Sequence, residues 1–161
     1  MEGLRKTVVG IARVMDVVGG VVLTLMMLLT VMDVILRYLG KPITGTYELV
    51  YLGGALVIGF AMPRTSWDGG NVSVDFVLVA LPRHLQTVAS VVTRLLGAAF
   101  FALLGWNLFR LAATYLSKQE VSLTLHVPIF PVVYALGICA FIECLVLLSM
   151  LVSQLMEVRH E

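Results

Sequence analysis

The sequence predicts an all-α membrane protein with four transmembrane helices and a short interfacial amphipathic helix between the second and the third. Of the 161 residues, 60% are hydrophobic and only 13% are charged, and the mean hydropathy is +0.99. Soluble domains carry about a quarter charged residues. The chain also contains four separate apolar segments, and with their flanks these can supply the roughly 20 residues that a membrane span needs. An ordinary soluble fold is therefore excluded.

The four segments predict a single membrane domain over residues 1–161. The first span includes the uncharged stretch 17–32 and shows no small-residue cleavage site, so we expect it to remain uncleaved. The second apolar stretch, 49–62, is short for a hydrocarbon core of about 30 Å, so its helix must begin earlier. The third and fourth spans are interrupted only by Arg94 and Glu143, respectively. The predicted spans are about 11–38, 46–63, 85–116 and 127–156.

Basic residues at the N-terminus predict that both termini face the cytoplasm. Arg5, Lys6 and Arg13 precede or open the first span, and cytoplasmic segments carry an excess of Lys and Arg. An even number of spans returns the C-terminus to the same side. Residues 72–81 begin with alternating polar and apolar side chains and are too few to cross the bilayer. They predict an amphipathic helix on the cytoplasmic surface, with a re-entrant segment as the alternative.

Two ionisable residues inside predicted spans require partners or a function, because charges in the membrane are costly. Arg94 and Glu143 lie on antiparallel helices at nearly the same predicted depth, so we expect them to form an ion pair that fixes the packing of two helices. The alternatives are a transport or proton-relay role for Glu143, or extension of the Arg94 side chain to the headgroups.

A second charge network is predicted where the first two helices are joined. Asp33 and Arg37 lie four residues apart on one helix face, and Glu48 opens the next helix after a short loop. A neutralised cluster of these three residues would tie the helical hairpin together. An ion-binding acidic site is the less favoured alternative.

Small residues in the second span predict a close helix–helix contact. Ala55 and Gly59 form a small-xxx-small pair, with Gly53 and Gly54 beside it. Such residues let helix backbones approach each other closely in membranes. Packing within this chain and docking to another membrane subunit are equally compatible with the pattern.

Other functional classes lack their residues in this sequence. The net charge of +1, without a basic cluster interleaved with aromatics, argues against nucleic acid. Cys139 and Cys144 lie in an apolar stretch and fit a helix core. No HExxH, CxxC or phosphate-binding glycine loop is present, and Ser66 and Ser117 have no evident base beside them. We therefore expect no catalytic or substrate-binding residue, no metal site and no cofactor.

Several short motifs follow one another in a fixed order between residues 33 and 140. They are Leu36-Arg37-Tyr38, Pro42, Glu48-Leu49, Gly59-Phe60-Ala61, Arg64, Asn71-Val72-Ser73-Val74-Asp75, Leu81-Pro82, Ser122–Pro128, Tyr134 and Gly137. Each motif is common, but their order and spacing are more specific, and together they resemble the small membrane subunit, DctQ-like, of tripartite ATP-independent periplasmic (TRAP) transporters. The sequence departs from the family pattern at Thr44–Tyr47, which lacks the usual aromatic before the acidic residue, and at Asn71, which replaces a frequent His.

The resemblance implies a non-catalytic scaffold in a prokaryotic inner membrane. Such a subunit binds a large elevator-type membrane subunit on a separate chain. That partner is expected to take up a small, carboxylate-bearing solute together with sodium, after a periplasmic binding protein has delivered the solute. Docking to that protein is expected at the loops near 41–47 and 118–126. Besides these two proteins, the chain contacts membrane lipid.

Functions of other classes remain open from the sequence. The main alternative is a self-sufficient small exporter, built as an oligomer of four-helix units and coupled to an ion through Glu143. Such a protein requires a membrane carboxylate that faces a cavity, and an Arg94–Glu143 pair would count against it. A membrane enzyme or redox subunit is disfavoured by the missing ligands, and a generic assembly factor has no distinguishing motif.

Overall fold

The chain folds into four long helices. The computed structural model describes residues 2–70 and 83–160, and no described segment forms a β-strand beyond one isolated bridge between Val121 and Pro128. Each helix contains a stretch long and apolar enough to cross a membrane. The predicted interfacial helix at 72–81 lies outside the described residues, and the orientation of the termini stays a prediction. The helices are α1 (Glu2–Tyr38), α2 (Thr46–Trp67), α3 (Arg83–Lys118) and α4 (Phe130–His160).

Several helix ends differ from the predicted spans: α1 begins at Glu2 rather than near 11, and α4 ends at His160 rather than near 156. Two further differences have a local explanation. Helix α2 continues past residue 63 to Trp67, with Pro63 buried inside it. The helix then ends in a turn in which the Gly70 N–H donates to the Thr65 carbonyl and Gly69 adopts a positive φ of 69°. Helix α4 begins at Phe130 rather than 127, so that Pro131 lies in the first turn, where its missing N–H costs little.

The helices pack in the spatial order α1, α2, α4, α3. Helix α4 contacts α2 and α3 and, to a smaller extent, α1, and α2 contacts α1. Within the described residues no extensive interface joins α3 to α1 or to α2. The chain is therefore an open layer of helices and not a closed bundle, with α4 between α2 and α3 and with α3 at one edge.

Glycines provide the close approaches inside this layer. A Cβ at Gly53 would lie 2.7 Å from the Met26 sulfur of α1, and one at Gly59 would lie 2.8 Å from Leu136 Cδ2 of α4. Gly54 also faces Met26, since a Cβ at Gly54 would lie 3.8 Å from Met26 Cε. Of the two alternatives for the small residues of α2, the structure thus favours packing within the chain for these glycines. Ala55 has a different environment, described below.

Candidate functional site

Helices α3 and α4 are held in a register that separates Arg94 from Glu143. Arg94 Nη1 donates to the Met150 carbonyl at 3.0 Å, and the Ser90 hydroxyl bonds to Gln154 at 3.2 Å. Met150 lies seven residues beyond Glu143, about 10 Å along a helix axis. The predicted Arg94–Glu143 pair is therefore wrong. The depth estimate failed because it took span ends from apolar stretches, whereas interhelical contacts set the register.

Glu143 instead bonds to Ser66 near the C-terminal end of α2. The Ser66 hydroxyl donates to Glu143 Oε1 at 2.5 Å, and the two residues are 4% and 1% exposed. Glu143 Oε2 is buried without a hydrogen-bond partner among the described residues. A partner for Ser66 could not be predicted from the sequence, because Ser66 lies 77 residues from Glu143 along the chain. The one sequence signal for this contact was the shortness of α2, because a short helix ends at the depth of Glu143.

Glu143 also lines a groove between α2 and α3. This groove, about 220 Å³ in volume, has α4 as its floor. We call it the Glu143 groove. Every other lining side chain is apolar, and Glu143 supplies the one carboxyl group. Its walls and floor include Ala55, Ile58 and Gly59 of α2, Phe101 and Leu104 of α3, and Glu143 of α4.

The opposite end of the layer carries the Asp33–Arg37 pair that the sequence predicts. Asp33 Oδ2 lies 2.7 Å from Arg37 Nη2, and Asp33 Oδ1 accepts the backbone N–H of Ile43 at 2.9 Å. The Arg37 guanidinium also lies over the Tyr47 ring, 5.7 Å from its centroid. Asp33 thus links the end of α1 to the loop that leads into α2.

Glu48 does not join that pair, which corrects the predicted three-residue cluster. Its carboxylate accepts the Ser122 hydroxyl and the backbone N–H groups of Thr124 and Leu125, at 2.9 and 3.2 Å for the latter two. We call these four residues the loop clasp. Glu48 and Ser122 are separated by 74 residues, so the clasp joins the start of α2 to the loop between α3 and α4. The only sequence signal for the loop clasp was a short loop with polar residues between α3 and α4.

The carboxylates of Asp33 and Glu48 are occupied by hydrogen bonds within the chain. No group of three His, Cys, Asp or Glu side chains that could hold a metal ion occurs within residues that the structure describes. The Ser66–Glu143 pair is buried, so its hydroxyl is not presented to a substrate.

Most of the chain matches a known protein family. Residues 26–157 match the family described as tripartite ATP-independent periplasmic transporters, DctQ component. The chain belongs to this DctQ family. No curated protein and no solved structure matches it.

Membership of the DctQ family makes this chain the small permease component of a TRAP transporter, in a family that is generally non-catalytic. With its four apolar helices, it is a multi-pass integral membrane protein. The family implies association with a large membrane subunit and a periplasmic binding protein. The matched range contains Asp33, Glu48, Arg94 and Glu143, so the groove and the loop clasp both lie within the DctQ region.

Proposed function

We propose that this DctQ-family chain is the static scaffold of a TRAP transporter in a prokaryotic inner membrane, with both termini in the cytoplasm. A large elevator-type subunit on a separate chain carries the sodium and solute sites. The transported solute is small and carboxylate-bearing, and a periplasmic binding protein delivers it. In this arrangement the small subunit contributes rigidity and surface, and it makes no direct contact with the solute.

The open order of the helices is the observation that supports this proposal most strongly. A chain that carries its own solute path has to surround it with helices, and no extensive interface joins α1 and α3 among the described residues. A single layer instead offers two broad apolar faces, and many large apolar side chains on them are exposed. Extended apolar surface of this kind suits contact with lipid on some parts and with another membrane subunit on others.

The loop clasp supports a second part of the proposal. By joining α2 to the loop between α3 and α4, Glu48 holds two loops together at one end of the layer. We propose that residues 41–47 and 118–126 form one docking surface there for the periplasmic binding protein. A clasped loop loses less conformational entropy on docking than a free one.

Affinity purification of the chain from its native membrane in mild detergent, followed by mass spectrometry, tests the scaffold role. We expect a much larger polytopic membrane protein to co-elute at close to one to one. Reconstitution of that pair into vesicles, with the binding protein and a sodium gradient, then tests coupling and solute class. Elution of the chain alone as a stable homo-oligomer would contradict the proposal.

The exporter alternative keeps one specific observation in its favour. Glu143 is not paired with Arg94 and it lines a groove, as a self-sufficient ion-coupled exporter would require. That reading predicts a homo-oligomer whose transport activity is lost in Glu143→Gln. The purification experiment therefore separates the two functions before any transport assay.

A further inference from the structure

We propose that the Glu143 groove receives side chains from one membrane helix of the large TRAP subunit, and that one of them donates a hydrogen bond to Glu143 Oε2. This inference rests on the proposed function, because it takes the large subunit as the partner. It goes further by assigning the contact face on this chain and the chemistry of one contact at its centre.

The state of the Glu143 carboxyl group is the first reason. Glu143 is 1% exposed, and only Oε1 has a hydrogen-bond partner in the described part of the chain, the Ser66 hydroxyl. A buried acceptor without a donor costs free energy, more so in an apolar setting. Native structures rarely retain such a group without a reason. Oε2 is covered in the isolated chain, so the Glu143 side chain has to turn toward the groove for a donor from a binding partner to reach it and remove this cost.

The chemistry of the groove lining limits which kind of molecule can occupy the groove. Apart from Glu143, the side chains that line the groove are apolar, which suits an acyl chain or apolar side chains. A lipid acyl chain has no donor and leaves Oε2 unpaired. A water molecule needs two to four polar partners, and the groove lining offers a single carboxyl group. A protein helix supplies both apolar side chains and a donor.

The size of the groove sets how that helix is seated. A volume of about 220 Å³ holds a few side chains but not a helix about 10 Å wide. The partner helix therefore lies across the mouth, between α2 and α3, with its side chains inserted. Ile58 and Leu104 line opposite walls and are 66% and 37% exposed, so both are available for this contact. Ala55 and Gly59 keep the α2 wall low.

Site-specific photo-crosslinking in the native membrane tests the seating. A photoreactive phenylalanine analogue is placed at Ile58 or at Leu104, and the matched control is Leu103. Leu103 is the neighbouring α3 residue, is 65% exposed and does not line the groove. We expect crosslinks to one segment of the large subunit from both groove positions and a much lower yield from Leu103.

Two substitutions test the hydrogen bond itself. Glu143→Leu removes both acceptor oxygens at similar volume and is expected to weaken association with the large subunit about tenfold, the effect of one lost buried hydrogen bond. Ser66→Ala removes the donor to Oε1 but keeps both acceptor oxygens of Glu143, and it is expected to change association little. A merely structural role for the pair predicts equal losses from both, and equal losses would overturn the inference.

The remaining outcomes separate this inference from the proposed function. If the large subunit co-purifies but crosslinks equally from Leu103, or if the groove positions capture lipid, residues 71–82 or a second copy of the chain, the groove assignment fails and the scaffold role stands. If no large subunit co-purifies at all, the proposed function itself fails.

Discussion

The loop clasp and the Glu143 groove use the same side-chain chemistry in opposite ways. At one end of the layer, the Glu48 carboxylate accepts three hydrogen bonds that join two distant parts of the chain. In the groove, the more deeply buried Glu143 has a donor on only one of its two oxygens. A satisfied carboxylate stabilises the fold of its own chain. A half-satisfied one is suited to a partner, and the following predictions test that distinction.

Replacement of Glu48 is expected to have the largest effect on the isolated chain. Glu48→Ala leaves two backbone N–H groups without their acceptor and should lower the thermal denaturation midpoint in mild detergent by about 6 °C. Glu120→Ala, in the same loop, is the matched control and should change it by about 1 °C or less. Equal denaturation midpoints for the two variants would show that the loop clasp does not stabilise the fold.

Gly45 is expected to come next, since it precedes Glu48 and packs under the clasped loop. Its φ is +83°, and a Cβ there would collide with the Leu125 side chain. Gly45→Ala should lower the denaturation midpoint by about 4 °C, through backbone strain and displacement of Leu125. Gly40→Ala is the control, because its φ is +75° and no atom lies within 4 Å. The difference between the two variants measures the Leu125 contact; no difference would show that the contact is unimportant.

The Asp33–Arg37 pair should contribute less. Asp33→Asn keeps an acceptor for the Ile43 N–H and removes the ion pair, so we expect the denaturation midpoint to fall by about 2 °C. Asp68→Asn breaks the Arg64–Asp68 pair, in which the carboxylate side chain is 50% exposed against 7% for Asp33, and serves as the control. It should have almost no effect. High salt should reduce the contribution of either ion pair to the stability of the chain, because salt screens exposed charges.

Glu143→Leu should have the smallest effect on the isolated chain, within about 2 °C of the unchanged protein. The substitution loses one hydrogen bond, but it also removes an unsatisfied buried acceptor, and Ser66 can bond to a backbone carbonyl of its own helix. Circular dichroism of the chain purified without partners measures this. A loss as large as that of Glu48→Ala would mean that Glu143 serves the fold in the same way as the clasp.

Some features of this protein could be predicted from the sequence, and others could not. The four spans and the Asp33–Arg37 pair follow from local patterns, namely continuous apolar stretches and a spacing of four residues on one helix. Family membership could also be recognised, because the motifs occur in a fixed order between residues 33 and 140. The partners of Glu48, Glu143 and Arg94 could not. Each of those contacts joins residues more than fifty positions apart.

The sequence by itself determined that this chain crosses the membrane four times with helices and belongs with TRAP small subunits. Hydrophobicity and residue spacing act locally, so they can be read along the chain. Only the tertiary structure decided that α4 lies between α2 and α3, that Arg94 faces Met150, and that Glu143 lines a groove. Helix order and register depend on how distant side chains fit together, and glycine contacts such as Gly59 against Leu136 fix them at ångström scale.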